Sequence, residues 1–297
     1  MKYILTTENL TKTYGKNDAA KNINIHIREG EIYGLIGRNG AGKTTVMRMI
    51  SGLSRATSGS YTLHGDQKTG VGVLIESPGI YPNMTAHENI KLKCIAMDCD
   101  DDAYIKELLD IVGLGDTGNK KAGEFSLGMR QRLGIALALV GDPRMIVLDE
   151  PINGLDPQGI AEIRLTLEKL RDEKGVTIMI SSHILDELAK LADSYGIIHE
   201  GELLDEFSSD DLRERCEQYV VVRTDDDAKA LELIKAQGFD ATADEHRNLI
   251  RVDDALGKTS ELNKKLVESG IGVSEIFAKN VSLEDYYLSL TGGGKDE

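Results

Sequence analysis

Hydrophobic and polar positions alternate in two different rhythms along this chain. In the first two thirds, short apolar runs are separated by longer stretches with helical spacing. Ile23, Ile25 and Ile27 recur at period two and predict a half-buried strand. The run Glu31-Ile-Tyr-Gly-Leu-Ile36 predicts a strand buried on both faces. Asn9 to Gly15 reads as the end of an earlier strand and a turn. Further strands are predicted at Ser60–His64, Val71–Ile75, Met145–Leu148, Thr177–Ile180 and Tyr195–His199. Between them, Asp102–Val112 puts Leu108, Leu109 and Val112 on one helical face, and Pro157–Lys174 is a second helix. Strands that alternate with helices indicate a mainly parallel α/β sheet.

The rhythm changes around Gly201–Ser209. Beyond it the pattern predicts a strand at Cys216–Arg223, a helix at Asp226–Gln237 and strands at Phe239–Asp244 and Leu249–Asp253. A helix at Thr259–Ser269, a strand at Val273–Phe277 and a last helix at Leu283–Leu290 follow. The order β-α-β-β-α-β is the ferredoxin-like arrangement. The expectation is therefore two domains, 1–208 and a small α+β accessory domain at 209–297, ending in the loose tail TGGGKDE.

Charge sharpens this division. The net charge is −15, and the 93 residues from Asp205 onward hold 22 acidic against 12 basic side chains. That balance of −10 argues against a duplex nucleic-acid surface, so no nucleic-acid partner is expected. Cys94, Cys99 and Cys216 form no CxxC pair, which fits a reducing compartment without a zinc site. The start MKYILTTENLTK has no apolar stretch of signal-peptide length. No apolar run approaches the ~20 residues of a membrane helix. Any membrane role is expected to pass through a partner.

Candidate chemistry begins at Gly37. Gly37-Arg-Asn39-Gly40-Ala41-Gly42-Lys43-Thr44-Thr45 fits G-x-x-x-x-G-K-[ST] at every fixed position, between a predicted strand and a predicted helix. In that setting backbone N–H groups can close around phosphate oxygens, and the helix N-terminus adds positive potential. Lys43 is expected to reach the β- and γ-phosphates of ATP, and the Thr44 hydroxyl to ligate Mg²⁺. Next, the strand Met145–Leu148 ends in Asp149-Glu150, placed for Mg²⁺ and for the attacking water respectively. Glu150-Pro-Ile-Asn-Gly-Leu-Asp156-Pro157 makes a tight loop before a helix that starts at Pro157. Thr177-Ile-Met-Ile-Ser-Ser-His183 is a strand ending in a histidine that suits a γ-phosphate sensor. Between these, Phe125-Ser126-Leu-Gly128-Met-Arg-Gln-Arg132 opens a helix that runs on through Leu139.

In this order the motifs resemble the nucleotide-binding subunit of ATP-binding cassette (ABC) transporters over the first ~205 residues. Gly37–Thr44 is similar to the family's Walker A loop and Asp149–Glu150 to the end of Walker B. Ser126–Gln131 is similar to its signature, Gly154–Asp156 to its D-loop and His183 to its switch histidine. Tyr14 falls where the family stacks an aromatic on adenine. The resemblance implies a P-loop cassette: a mainly parallel sheet with antiparallel strands and a helical signature subdomain. It implies ATP and Mg²⁺ as cofactors, the latter partly through water, with Lys43, Glu150 and His183 catalytic. It also implies a second cassette, identical or paralogous, paired head to tail, so that Ser126 and Gly128 of one chain close over ATP held by Lys43 of the other. Transmembrane permease subunits would be the partners, gripped by the segment Glu76–Glu88, with the chain on the cytoplasmic face of the membrane.

Two positions depart from the family. The usual L-S-G-G-Q signature is F-S-L-G-M here, keeping the serine and second glycine. Glu76 stands where the family has glutamine. An amide both donates and accepts, whereas a carboxylate only accepts, so Glu76 is a candidate ligand to Mg²⁺ beside the γ-phosphate. With the run Pro78-Gly-Ile-Tyr81 to Glu88-Asn89, this glutamate resembles the cassettes of bacitracin- and lantibiotic-resistance exporters. The resulting expectation is an ATPase subunit that exports a peptide antibiotic or other toxic compound. An importer cassette is the nearer alternative. A ribosome factor would carry two cassettes in one chain, and a chromosome ATPase would place a long coiled coil between its ATP motifs. Asp98-Cys-Asp-Asp-Asp102 lacks the glycine and final glutamate of a calcium loop and reads as a solvated helix start.

Overall fold

In the computed structural model, residues 2–64, 70–99, 101–215, 218–244, 249–280 and 282–292 are described. Asp100, Cys216, His246 and residues 293–297 of the tail lie outside them, and so does the start of the strand predicted from Cys216. The described part divides into two compact units, Met1–Ser209 and Asp210–Glu297.

The first unit opens with β1 (Tyr3–Tyr14), β2 (Asn17–Ile23) and β3 (His26–Arg28). With a later strand, β5 (Ser58–Leu63), they form an antiparallel sheet in which β1 pairs with all three others. The strand expected through Ile23, Ile25 and Ile27 is interrupted, although all three side chains are buried. Thr7 of β1 accounts for the break. Its hydroxyl donates to Ile23 O at 2.8 Å and accepts from Ile25 N at 2.7 Å. A side chain thereby takes the place of ladder hydrogen bonds at the bend.

A six-stranded sheet carries the motifs. It contains β4 (Ile32–Ile36), β6 (Val71–Leu74), β7 (Met145–Asp149), β8 (Thr177–Ser182), β9 (Ser194–His199) and β10 (Glu202–Ser208), in the order β10-β9-β4-β8-β7-β6. All neighbours are parallel except the edge pair β10–β9. Strands β4, β7 and β8 are buried at every position, as their unbroken apolar runs require. Register puts Ile36 level with Ser182, Ser181 with Asp149, and Leu148 with Leu74. The carboxyl ends of four adjacent strands thus deliver Gly37, His183, Asp149 and Glu76 to one edge. In open α/β sheets that edge is the ligand-binding one.

The helices of this unit are α1 (Lys43–Ile50), α2 (Ala86–Ala96), α3 (Asp102–Ile111), α4 (Leu127–Leu139), α5 (Pro157–Lys174) and α6 (Leu185–Ala189). Asp101 caps α3 by accepting from Ala103 N, the role of a helix start. A capping box opens α2: Thr85 Oγ1 accepts from Glu88 N, and Thr85 N donates to Glu88 Oε2. Buried Asn89 ties the preceding loop to this helix, accepting from Tyr81 N at 2.7 Å and donating to Thr85 O at 2.8 Å.

The second unit contains α7 (Ser209–Arg215, which begins at the boundary), β11 (Gln218–Thr224), α8 (Asp227–Ala236), β12 (Ala241–Asp244) and β13 (Leu249–Val252). It continues with α9 (Thr259–Glu268), β14 (Val273–Asn280) and α10 (Leu283–Thr291). The strand order is β12-β13-β11-β14 with every pair antiparallel. This is the double split β-α-β of ferredoxin-like domains. Val220, Val222, Ile250 and Val252 of the sheet pack with Ile234 of α8 and Leu262 and Leu266 of α9.

Candidate functional site

The loop from Gly37 to Gly42 turns between β4 and α1 with no room to spare. A β-carbon on Gly37 would lie 2.5 Å from Ile198 O, and one on Gly42 would collide with Ala19 O. Gly42 also has φ +107°, which only glycine adopts without strain. Lys43 then starts α1. Its side chain curls back over the loop, donating to Gly37 O at 2.6 Å and Arg38 O at 3.3 Å. The residue is only 5% exposed, yet its ammonium also lies 3.1 Å from Glu150 Oε1. The adjoining cleft, about 180 Å³, is walled by Ala19, Arg38, Asn39, Gly40, Thr45 and Glu150, together with Gly42, Lys43 and Thr44.

Beneath this loop the acidic pair is held from two sides. Thr44 Oγ1 donates to Asp149 Oδ2 at 2.7 Å, and Ser181 Oγ donates to Asp149 Oδ1 at 2.6 Å. Glu150 follows with φ +49°, a conformation uncommon for a side chain of its size. Its N–H is fixed by Ser181 Oγ at 2.9 Å, and its Oε2 lies 2.8 Å from His183 Nδ1. Lys43, Thr44, Asp149, Glu150 and His183 are therefore joined in one connected network through Ser181.

The donor set suits a magnesium nucleotide. A buried ammonium, the loop residues Arg38, Asn39, Gly40 and Gly42 and the start of α1 line the same cleft, a setting that favours phosphate. Thr44 and Asp149 offer hard oxygens, the kind Mg²⁺ prefers. Among the described residues no group of three or more His, Cys, Asp or Glu could by itself hold a metal ion.

Other predicted residues lie outside the cleft walls. Tyr14 is 52% exposed at the turn between β1 and β2, with Lys12 Nζ 5.0 Å from its ring centre. Ser126 caps α4, accepting from Met129 N at 3.2 Å, and Asp156 caps α5, accepting from Gly159 N at 3.0 Å. These two helix starts touch: a β-carbon on Gly154 would lie 3.4 Å from Leu127 Cδ2, and one on Gly128 would lie 3.8 Å from Gly159 Cα. The signature and D-loop residues thus form a second cluster of the same chain. Glu76 has φ +65°, and its 67% exposed carboxylate pairs with Arg48, one turn along α1 from Thr44.

Arg48 and Ser181 escaped the reading of motifs. Spacing places each near a motif residue, Arg48 at i+4 from Thr44 on one helix face and Ser181 two residues before His183, but does not show what either bonds to.

The family model described as "ABC transporter" matches residues 20–153. The bacitracin transport ATP-binding protein BcrA of Bacillus licheniformis is 44% identical over 99% of this chain and 99% of its own. The lantibiotic transport ATP-binding protein SrtF of Streptococcus pyogenes is 44% identical over 68% of this chain and 89% of its own. Among solved structures, the ATP-binding cassette MJ0796 in a dimeric post-hydrolysis state with ADP and Pi superposes with TM-score 0.61 at 27% identity, covering 69% of this chain and 98% of that one. CbiO1 of Clostridium perfringens, part of the cbiONQ transporter complex, gives TM-score 0.66 at 25% identity, covering 71% and 91%. With a relative matching at that identity from end to end, the chain belongs to the ATP-binding subunits of ABC transporters.

Proposed function

We propose that this chain drives export of a peptide antibiotic or similar toxic compound by hydrolysing Mg-ATP between two head-to-tail cassettes. The observation that carries the catalytic part is the network Lys43–Glu150–His183 above Thr44–Asp149–Ser181. The kinship with BcrA and SrtF supports the class of cargo.

In this reading Lys43 exchanges its contact with Glu150 for the β- and γ-phosphates. A phosphate brought to the ammonium competes with the carboxylate and frees Glu150 Oε1. His183 keeps the other oxygen in place, so Glu150 is aimed while it orients or deprotonates water. Thr44 and Asp149 would hold Mg²⁺, with Glu76 joining them only by leaving Arg48. Held there, Mg²⁺ would supply positive charge to offset that of the phosphates. Tyr14 would stack on adenine, and Ser126 and Gly128 would close the site of the other chain. Segregation of Ser126, Gly128 and Asp156 into their own cluster supports that division of labour.

The membrane partner would sit on the groove of about 470 Å³ lined by Leu53, Val73, Tyr81, Leu92, Lys93 and Gly134. Tyr81, Leu92, Ile95 and Met97 are exposed apolar side chains of the same region. No helix of the described residues is long and apolar enough to cross a membrane. Attachment through permease subunits on the cytoplasmic face fits that finding.

Glu150→Gln tests the reading. It keeps the shape of the side chain and removes the base. Turnover should fall by roughly 10²-fold or more while Mg-ATP still binds. The variant should accumulate as an ATP-bound dimer in light scattering. Turnover equal to wild type would remove Glu150 from the chemistry.

A further inference from the structure

We propose that Ser181 is a positioning residue for hydrolysis, holding the Asp149 carboxylate and the Glu150 backbone N–H through one hydroxyl. The inference rests on the ATPase reading above and adds a residue outside the family's motifs.

Ser181 is completely buried in β8, between β4 and β7. Its hydroxyl serves as donor and acceptor at once. It gives its proton to Asp149 Oδ1 at 2.6 Å and receives the Glu150 N–H at 2.9 Å. The first bond has the short length of an O–H to carboxylate contact. It leaves the Asp149 carboxylate clamped on both oxygens, with Thr44 on the other side. That fixes the plane of the proposed magnesium ligand.

The second bond acts on backbone. Glu150 occupies the left-handed region at φ +49°. Such a residue persists when its surroundings over-determine it. Ser181 holds the N–H of this residue, and His183, just past the end of the same strand, meets its carboxylate. One end of Glu150 is thus set by Ser181 and the other by His183. Aliphatic residues fill the preceding positions of the strand, Ile178 to Ile180. None of them could make either bond. A serine that only filled space would need neither partner.

Two substitutions separate hydrogen bonding from packing. Ser181→Ala removes the hydroxyl. Ser181→Cys keeps nearly the same volume but is a weak donor and acceptor. Both should lower kcat by about 10- to 100-fold, the usual cost of losing an outer partner of a metal ligand. Binding of ATP without metal should stay within about twofold, because the Gly37–Thr45 loop is untouched. Mn²⁺ followed by electron paramagnetic resonance in the presence of ATP should bind several-fold more weakly, by the same outer-partner loss. Ser181→Thr, which restores the hydroxyl, should recover Mn²⁺ affinity.

If thermal melting shows that Ser181→Thr does not fold, the cysteine variant decides. A Cys variant with wild-type turnover would overturn the proposal, since volume alone would then suffice. So would a Mn²⁺ titration of Ser181→Ala that superimposes on wild type. Failure of the wild-type chain itself to hydrolyse ATP would instead overturn the reading on which the proposal rests.

Discussion

Glu76 is the residue whose place in the mechanism depends most on its neighbours. Its carboxylate rests on Arg48 rather than in the Thr44–Asp149 network. Both partners are substantially exposed, so the pair contributes little to stability. Its importance is positional, because Arg48 lies one helical turn from Thr44. Removing either member should alter the demand for Mg²⁺ rather than the fold. Glu76→Gln should shift the Mg²⁺ dependence of ATP hydrolysis in the isolated protein. Arg48→Gln, which frees the carboxylate, should shift it in the opposite sense. Melting temperatures of both should stay close to wild type. Superimposable Mg²⁺ titrations would confine Glu76 to coupling with the membrane partner.

At the scale of elements, the contact that Tyr33 of β4 makes with β10 across β9 offers a pH test. Tyr33 of β4 is fully buried and donates to Glu206 Oε1 of β10 at 2.9 Å. Glu206 also receives His26 of β3 on both oxygens, and Glu31 faces the same phenol. Burial, with Glu206 and Glu31 adding negative charge, raises the Tyr33 pKa well above its ordinary value. A folded value above the unfolded one means that Tyr33 contributes its full stability below about pH 10 and loses it as pH rises beyond. Tyr33→Phe should therefore be less stable than wild type by about 1 kcal/mol near neutrality, from the lost bond. Above pH 10 the gap should close by about 1.4 kcal/mol per pH unit. Urea unfolding of both proteins at pH 8 and pH 10.5 reads the difference. A gap that does not change with pH would mean the phenol is not the titrating group.

The same elements show what sequence reveals and what it conceals. Continuous apolar runs located β4, β7 and β8 because both faces of these strands are buried, and Pro157 marked the first turn of α5. The break between β2 and β3 was not legible. Its cause is the Thr7 hydroxyl, brought from 16 and 18 residues away. Strand β10 was concealed because it is a partly exposed edge of alternating character, read as a domain boundary. In the site, the glycine and lysine positions announced themselves, since phosphate binding needs those types at fixed spacing. Ser181 did not, because a serine closing an apolar strand reveals its two partners only when β7 and β8 lie side by side. The Arg48–Glu76 pair joins residues 28 positions apart, beyond local pattern.

At the scale of the whole molecule, the proposed head-to-tail pairing makes one chain carry two half-sites. Lys43 belongs to the cleft, whereas Ser126 and Gly128 pack beside Gly154 and Gly159 in a separate cluster. In a two-fold dimer each partner can lend one half to the other. This predicts complementation between two inactive variants. Lys43→Ala destroys the phosphate side, and nucleotide affinity itself should drop. Ser126→Arg blocks the lending side but leaves the cleft of its own chain intact. Alone, each should be inactive, since both composite sites of either homodimer contain the defect. Mixed in equal amounts, about half of the dimers are hybrids, and each hybrid restores one composite site from an intact Lys43 and an intact Ser126. ATPase activity of the mixture should therefore recover to about a quarter of wild type, if each intact site works independently in the two-fold pair. A mixture with no more activity than its parents, under conditions where hybrids are shown to form, would mean that the site is completed within one chain or that both sites must fire together. Repeating the assay with a chain bearing both substitutions, mixed with wild type, separates these outcomes. That hybrid carries one wholly intact and one doubly defective site only if each site is built from a single chain's two clusters. In the head-to-tail arrangement both of its sites are half-broken, and it should be inactive.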